Sequence, residues 1–355
     1  MADPSSSVMA AKSTNVRSER PLRWSSRRGW RAAVASTSLR AVFGTLGRIA
    51  PGAAGELAQR LFFTPPRLPG AGALPLGAED LDVAAGGQRI AAWRCGSGPA
   101  VLLMHGWGGS STQLGRLVPP LLQRGFSVVG VDAPAHGRSP GRLASLPEFA
   151  RALDAVAQVA GPVHAVVGHS LGAAAAALAV SQGLDARRLV LLGSAADPTR
   201  WARAFAAHFR IPAAAMDSMG RSSERRLRFR WSELHLGRLL QGFGGRVLFV
   251  HDRQDRETRW TEAFDVARQV ADARVVLTEG LGHRRILAHS GVAALIAEFV
   301  HTGETRATAG VPLAATCATP GCGRPATGGA LCVGCSLDQH LFQRDTARWP
   351  SAAAH

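Results

Sequence analysis

The chain holds no run of about 20 consecutive apolar residues, so no membrane-spanning helix is expected. Its first 30 residues lack the apolar core of a secretory leader, and a cytoplasmic location is the expectation. Tyrosine is absent and lysine occurs once, at Lys12, so the formal charge of +16 is carried almost wholly by arginine. The arginines are scattered without interleaved aromatics, which marks compositional bias and no nucleic-acid surface. The excess is nevertheless uneven. Residues 1–67 carry 11 Lys/Arg against 3 Asp/Glu, a segment compatible with peripheral contact on an anionic lipid surface. Cysteine is scarce and odd in number: Cys95 stands alone and four others bunch near the C-terminus, a pattern suited to a metal site rather than to a disulfide framework. What is plentiful is core material. Hydrophobic residues make up 46% of 355, enough for an enzyme-sized globular domain.

Residues 1–38 read as a disordered basic N-terminus. Residues 39–78 form a helical lead-in, with a stripe at Leu39, Val42, Phe43, Leu46 and Ile49, a break at Pro51–Gly52, then Leu57 and Leu61. Such a segment packs on the domain that follows, pinned by Leu61–Arg67, or lies on a membrane, or serves as a transit peptide. From 79 to 303 short apolar runs alternate with helical stretches. The runs are Ile90–Arg94, Ala100–Met104, Ser127–Val131, Val163–Val167, Leu189–Leu192, Val247–Val250 and Val275–Leu277. The helical stretches include 146–160, 171–182 and 262–273. This describes an α/β fold, a mostly parallel sheet with helices on both faces. Residues 197–243 break the rhythm and predict a small helical cap; 304–314 is a linker and 315–345 a small Cys-rich tail.

The string 163–172 reads strand, then Gly168-His169-Ser170-Leu171-Gly172, then an alanine-rich helix. A nucleophile on a tight strand-to-helix turn needs small residues two positions either side, which Gly168 and Gly172 supply. Ser170 is thus the candidate nucleophile. Upstream, Ala100–Met104 runs into His105-Gly106-Trp107-Gly108-Gly109, and the backbone N–H groups of Trp107 and Leu171 are candidates for an oxyanion hole. His105 shapes that loop. Downstream, two acids, Asp252 and Asp255, follow the strand ending at Val250, and His283 sits on a glycine-flanked loop after the next strand. Both lie past strand C-terminal ends, where open α/β sheets build their sites. His289 falls in the helix beyond and reads as structural.

Together HGWGG, VDAPAHGRS, GHSLG, HDRQD and GLGHRR resemble the α/β-hydrolase superfamily over roughly residues 80–302. The resemblance implies Ser170 as nucleophile, Asp255 as acid and His283 as base, with Asp252 a rival because it stands where the family's acid motif has glycine. It also implies a structural His136, and it puts Ala135 where glycine is commoner. The expected chemistry is hydrolysis of a small acyl ester or thioester without a catalytic cofactor. An acyltransferase with the same triad is one alternative. A non-enzymatic binding protein recruited through its tail, toward a partner the sequence does not name, is another.

Cys317, Cys322, Cys332 and Cys335 follow C-x4-C-x9-C-x2-C spacing and resemble a small zinc-finger module. Four thiolates can close a tetrahedral structural zinc site; free thiols or two disulfides are the other readings.

Overall fold

A computed structural model describes residues 29–66 and 72–305. The lead-in folds as two helices, α1 (Gly29–Ile49) and α2 (Pro51–Phe62). Pro51 opens α2 at a position where a missing N–H costs nothing. Helix α1 thus starts ahead of Leu39, inside the stretch expected to be disordered; residues 1–28 and 306–355 lie outside the described residues.

The body opens on three strands and then alternates strands with helices, apart from two stretches of consecutive helices. It comprises β1 (Glu79–Ala85), β2 (Gln88–Cys95), β3 (Ala100–Met104), α3 (Val118–Leu122), β4 (Ser127–Val131), α4 (Leu146–Ala160), β5 (Val163–His169), α5 (Leu171–Ser181) and β6 (Arg188–Leu192). Then come α6 (Pro198–Phe209), α7 (Ala213–Leu227), α8 (Leu236–Leu239), β7 (Arg246–Asp252), α9 (Trp260–Ala267), β8 (Ala273–Thr278), α10 (Gly282–Arg285) and α11 (Ser290–Thr302). None of the described helices is long and apolar enough to cross a membrane.

The strands form one sheet in the order β1-β2-β4-β3-β5-β6-β7-β8. The β1–β2 and β2–β4 pairs are antiparallel and the remaining pairs parallel. Alternate residues of β3 feed two cores: Leu102 and Met104 face the layer of α4, α5, α8 and α9, while Val101 and Leu103 face α3 and α11. Burial on both faces is why these strands read as unbroken apolar runs. Strand β1 had no such signature. Its EDLDVAA sequence is largely exposed at the sheet edge, with Val83 its one buried residue. Helix α9 ends at Ala267, short of the expected 273; residues 268–272 turn the chain and Ala273 already belongs to β8.

The insertion between β6 and β7 carries α6, α7 and α8. Helices α1 and α2 pack against α6 and α7 around Phe43, Ala54, Ala58, Phe205, Ala215 and Met219, all buried. Polar ties reinforce this: the Gln59 amide donates to Ser222 Oγ at 3.0 Å, and Arg40 Nε donates to the His208 carbonyl at 2.8 Å. Losing a fully buried phenylalanine costs about 3–5 kcal/mol, and Phe43 and Phe205 are both buried here. The lead-in is therefore an integral wall of the molecule and not a tethered arm.

Candidate active site

The chain reverses its direction of sheet growth around β3, which lies between β4 and β5. Crevices of open α/β sheets form at such a switch, beyond the strand C-termini. Ser170 follows β5 there. It adopts φ 54°, ψ −117°, a sparsely populated conformation for a residue with a side chain. Its N–H donates to the Leu192 carbonyl at 2.9 Å, which fixes the turn to β6. A Cβ on Gly168 would run into the Gly172 carbonyl, and one on Gly172 into the His105 carbonyl, so both positions require glycine. Leu171 opens α5, where the N–H has no intrahelical acceptor. Trp107, on the loop after β3, lines the same cavity as Ser170, Leu171 and His283.

His283 sits on α10, and its Nδ1 lies 2.7 Å from Asp255 Oδ2. Asp255 is held in full. Its Oδ1 accepts the N–H of Glu257 at 2.8 Å and that of Thr258 at 3.0 Å. Its Oδ2 also has the Thr258 hydroxyl at 2.9 Å and His251 Nε2 at 3.3 Å. Burial works against ionisation of this carboxyl, but the hydrogen bonds from His251 and His283 outweigh it and hold the group well below the usual carboxylate range.

Asp252, the rival acid, turns elsewhere. Its Oδ2 accepts from the Thr278 hydroxyl at 2.8 Å and from the Leu281 N–H at 2.9 Å, and its Oδ1 from the Gln254 N–H at 2.9 Å. It ties the end of β7 to the loop that carries His283.

The other histidines of the motifs fill different places. His169 Nε2 is 2.9 Å from the His283 carbonyl, and burial followed by the nearby His283 pushes its pKa down to about 3. It stays neutral, so Nε2–H donates and braces the His283 loop. His105 Nε2 accepts the Ala133 N–H at 3.1 Å, which leaves Nδ1–H to donate to the Gly106 carbonyl at 2.7 Å. It shapes the loop, as expected. Burial also lowers His136 to about 3, with His105 adding to the effect; its ring packs against Trp107 and Phe149. Ala135 has φ 62°, the left-handed region, which explains the preference for glycine at that position. His289 caps the start of α11, its Nδ1 accepting from the Val292 N–H at 3.4 Å.

His251 and Thr258, which complete the cradle of Asp255, escaped the sequence reading: His251 opens the HDRQD string but was given no role there, and Thr258 lies outside every motif. Cys95 is buried in β2, while Cys317, Cys322, Cys332 and Cys335 lie outside the described residues. Among the described residues, no group of three or more His, Cys, Asp or Glu side chains is arranged to hold a metal ion.

Sheet order, elbow and loop placement define an α/β-hydrolase. The Alpha/beta hydrolase family model matches residues 101–353, and the chain belongs to that family. Among solved structures it is similar to an esterase from Exiguobacterium antarcticum, at 18% identity and TM-score 0.50, covering 63% of this chain and 100% of that one. It is also similar to an esterase from Pyrococcus furiosus, at 18% identity and TM-score 0.52, covering 67% of this chain and 98% of that one. At this identity the likeness is one of fold. No curated protein matches the chain in sequence.

Proposed function

We propose that the protein hydrolyses a carboxylic ester or thioester through Ser170, His283 and Asp255. The observation that carries this reading is the 2.7 Å approach of His283 to a buried carboxylate, beside a serine held at φ 54° in the same cavity. The Ser170 hydroxyl attacks the acyl carbon while His283 Nε2 takes its proton. The N–H groups of Trp107 and Leu171 receive the oxyanion of the tetrahedral intermediate. Collapse expels the alcohol or thiol, protonated by His283, and leaves the acyl group on Ser170. Water then repeats the sequence and frees the acid. Throughout, Asp255 accepts from Nδ1–H, which keeps Nε2 available as the base. None of these steps calls on a metal or organic cofactor.

A fluorophosphonate probe should add once to the protein, on the tryptic peptide containing Ser170. Peptide mass spectrometry locates the adduct, and one found on another residue would overturn the assignment.

For the tail, we propose that Cys317, Cys322, Cys332 and Cys335 hold one structural zinc ion. Elemental analysis of protein isolated without chelator should find about one zinc per chain, released by acid because each ligand must be a thiolate. No zinc together with four titratable thiols would end that reading.

A further inference from the structure

The cavity above Ser170 has a volume of about 770 Å³, towards the upper end of the roughly 300–1,000 Å³ typical of ligand pockets. Its walls differ sharply in polarity. One side is apolar and comes from two distant stretches: Leu61 to Pro66 at the end of the N-terminal helical pair, and the cap residues Trp201, Ala204, Phe229 and Trp231. These stretches are joined. Phe62 meets Trp231 edge-on with ring centroids 5.9 Å apart, and Phe63 stacks on Trp231 at 6.5 Å. Beyond them, the Phe63 carbonyl accepts the Ala144 N–H at 2.8 Å, anchoring the wall to the body. The acid on this side, Glu224, has its Oε1 taken by the Trp231 N–H at 3.1 Å.

The part of the lining next to His283 carries charge. Arg256, Glu257 and Arg284 line the cavity beside His283, with Glu257 paired to Arg284 at 3.0 Å and its Oε2 3.9 Å from His283 Nε2. That nitrogen must hand its proton to the departing oxygen or sulfur, so the leaving group lies on the charged side. The acyl group is left with the apolar side.

We infer that the substrate carries a straight apolar acyl chain of about eight carbons or more, and that Leu61–Pro66 of the N-terminal pair set its length. This rests on the ester-hydrolase reading. The N-terminal segment thereby supplies a specificity wall to a nucleophile more than a hundred residues downstream.

The test uses the full chain and p-nitrophenyl esters from acetate to decanoate. Each methylene buried in an apolar wall should raise kcat/KM about fourfold, so octanoate should exceed acetate by at least about 100-fold after imperfect burial. Leu61→Trp on α2 and Ala204→Phe on α6 each fill part of the apolar side, and each should lower the octanoate-to-acetate ratio at least about tenfold. A binding readout stands apart from turnover. Isothermal titration calorimetry should detect decanoate binding to the wild type, and Leu61→Trp should weaken its affinity. If acetate is hydrolysed as well as octanoate and decanoate does not bind, the acyl inference fails while the hydrolase reading stands. If decanoate binds but no ester turns over, the hydrolase reading fails and the apolar chain site remains. An unchanged ratio and affinity in folded Leu61→Trp would remove the N-terminal wall from specificity.

Discussion

Ser170→Ala is expected to lower kcat for ester hydrolysis by about 10⁴–10⁶-fold, leaving only what the oxyanion donors and binding achieve. Alanine keeps the same Cβ on the φ 54° backbone, and the N–H bond to Leu192 is untouched, so the turn itself is unaltered. Thermal unfolding should therefore match the wild type within a few degrees. The two measurements belong together, because a loss of activity with loss of fold would say nothing about the hydroxyl. Activity within tenfold of wild type in a folded variant would move the nucleophile elsewhere.

The second large effect separates the two aspartates. Asp255→Asn should cost about 10³–10⁴-fold in kcat, because an amide N–H facing His283 favours the tautomer with its proton on Nε2. The variant also deprives the N–H groups of Glu257 and Thr258, or the His283 side, of a charged acceptor. Asp252→Asn leaves the His283–Asp255 contact alone and weakens the ties to Thr278 and Leu281. That change should appear chiefly in stability, at about 1–3 kcal/mol for disturbed buried hydrogen bonds, with less than about tenfold in kcat. Unfolding curves and steady-state kinetics on both variants distinguish the roles. A greater kinetic loss from Asp252→Asn, with both proteins folded, would reverse them.

The contrast between these residues shows what a linear sequence can carry. The elbow is a local object: strand, glycine, serine, glycine and helix are contiguous, and the demand for small neighbours is written within five residues. The placement of Asp252, Asp255 and His283 near strand ends was likewise readable, since they follow clear apolar runs, whereas the choice between the two aspartates came only from the family resemblance. The cradle of Asp255 was not. His251 at the end of β7 and Thr258 on the loop after it meet Asp255 only through the turn between them, and isolated polar residues have no period to betray them. Strand β1 was hidden for a related reason. An edge strand with one side in water needs few apolar residues, and EDLDVAA contains few. The wall at Leu61–Pro66 was hidden by distance, because a helical stripe shows that it packs but not on what. Of the expected stripe, Leu39, Phe43, Leu46, Leu57 and Leu61 join the core shared with α6 and α7, whereas Val42 and Ile49 stay exposed; the partner is a pair of helices far along the chain.

That separation also sets an order of events during synthesis. Helices α1 and α2 are complete by residue 62, whereas α7, the surface that receives them, spans Ala213–Leu227. At about 5–20 residues per second, the roughly 150 intervening residues take between about 8 and 30 seconds to emerge from the ribosome. For that interval Phe43, Ala54 and Ala58 have no cap to pack against. The apolar face of α1 and α2 therefore waits through that interval before its covering surface exists, and nascent-chain binding proteins have an opportunity at this segment.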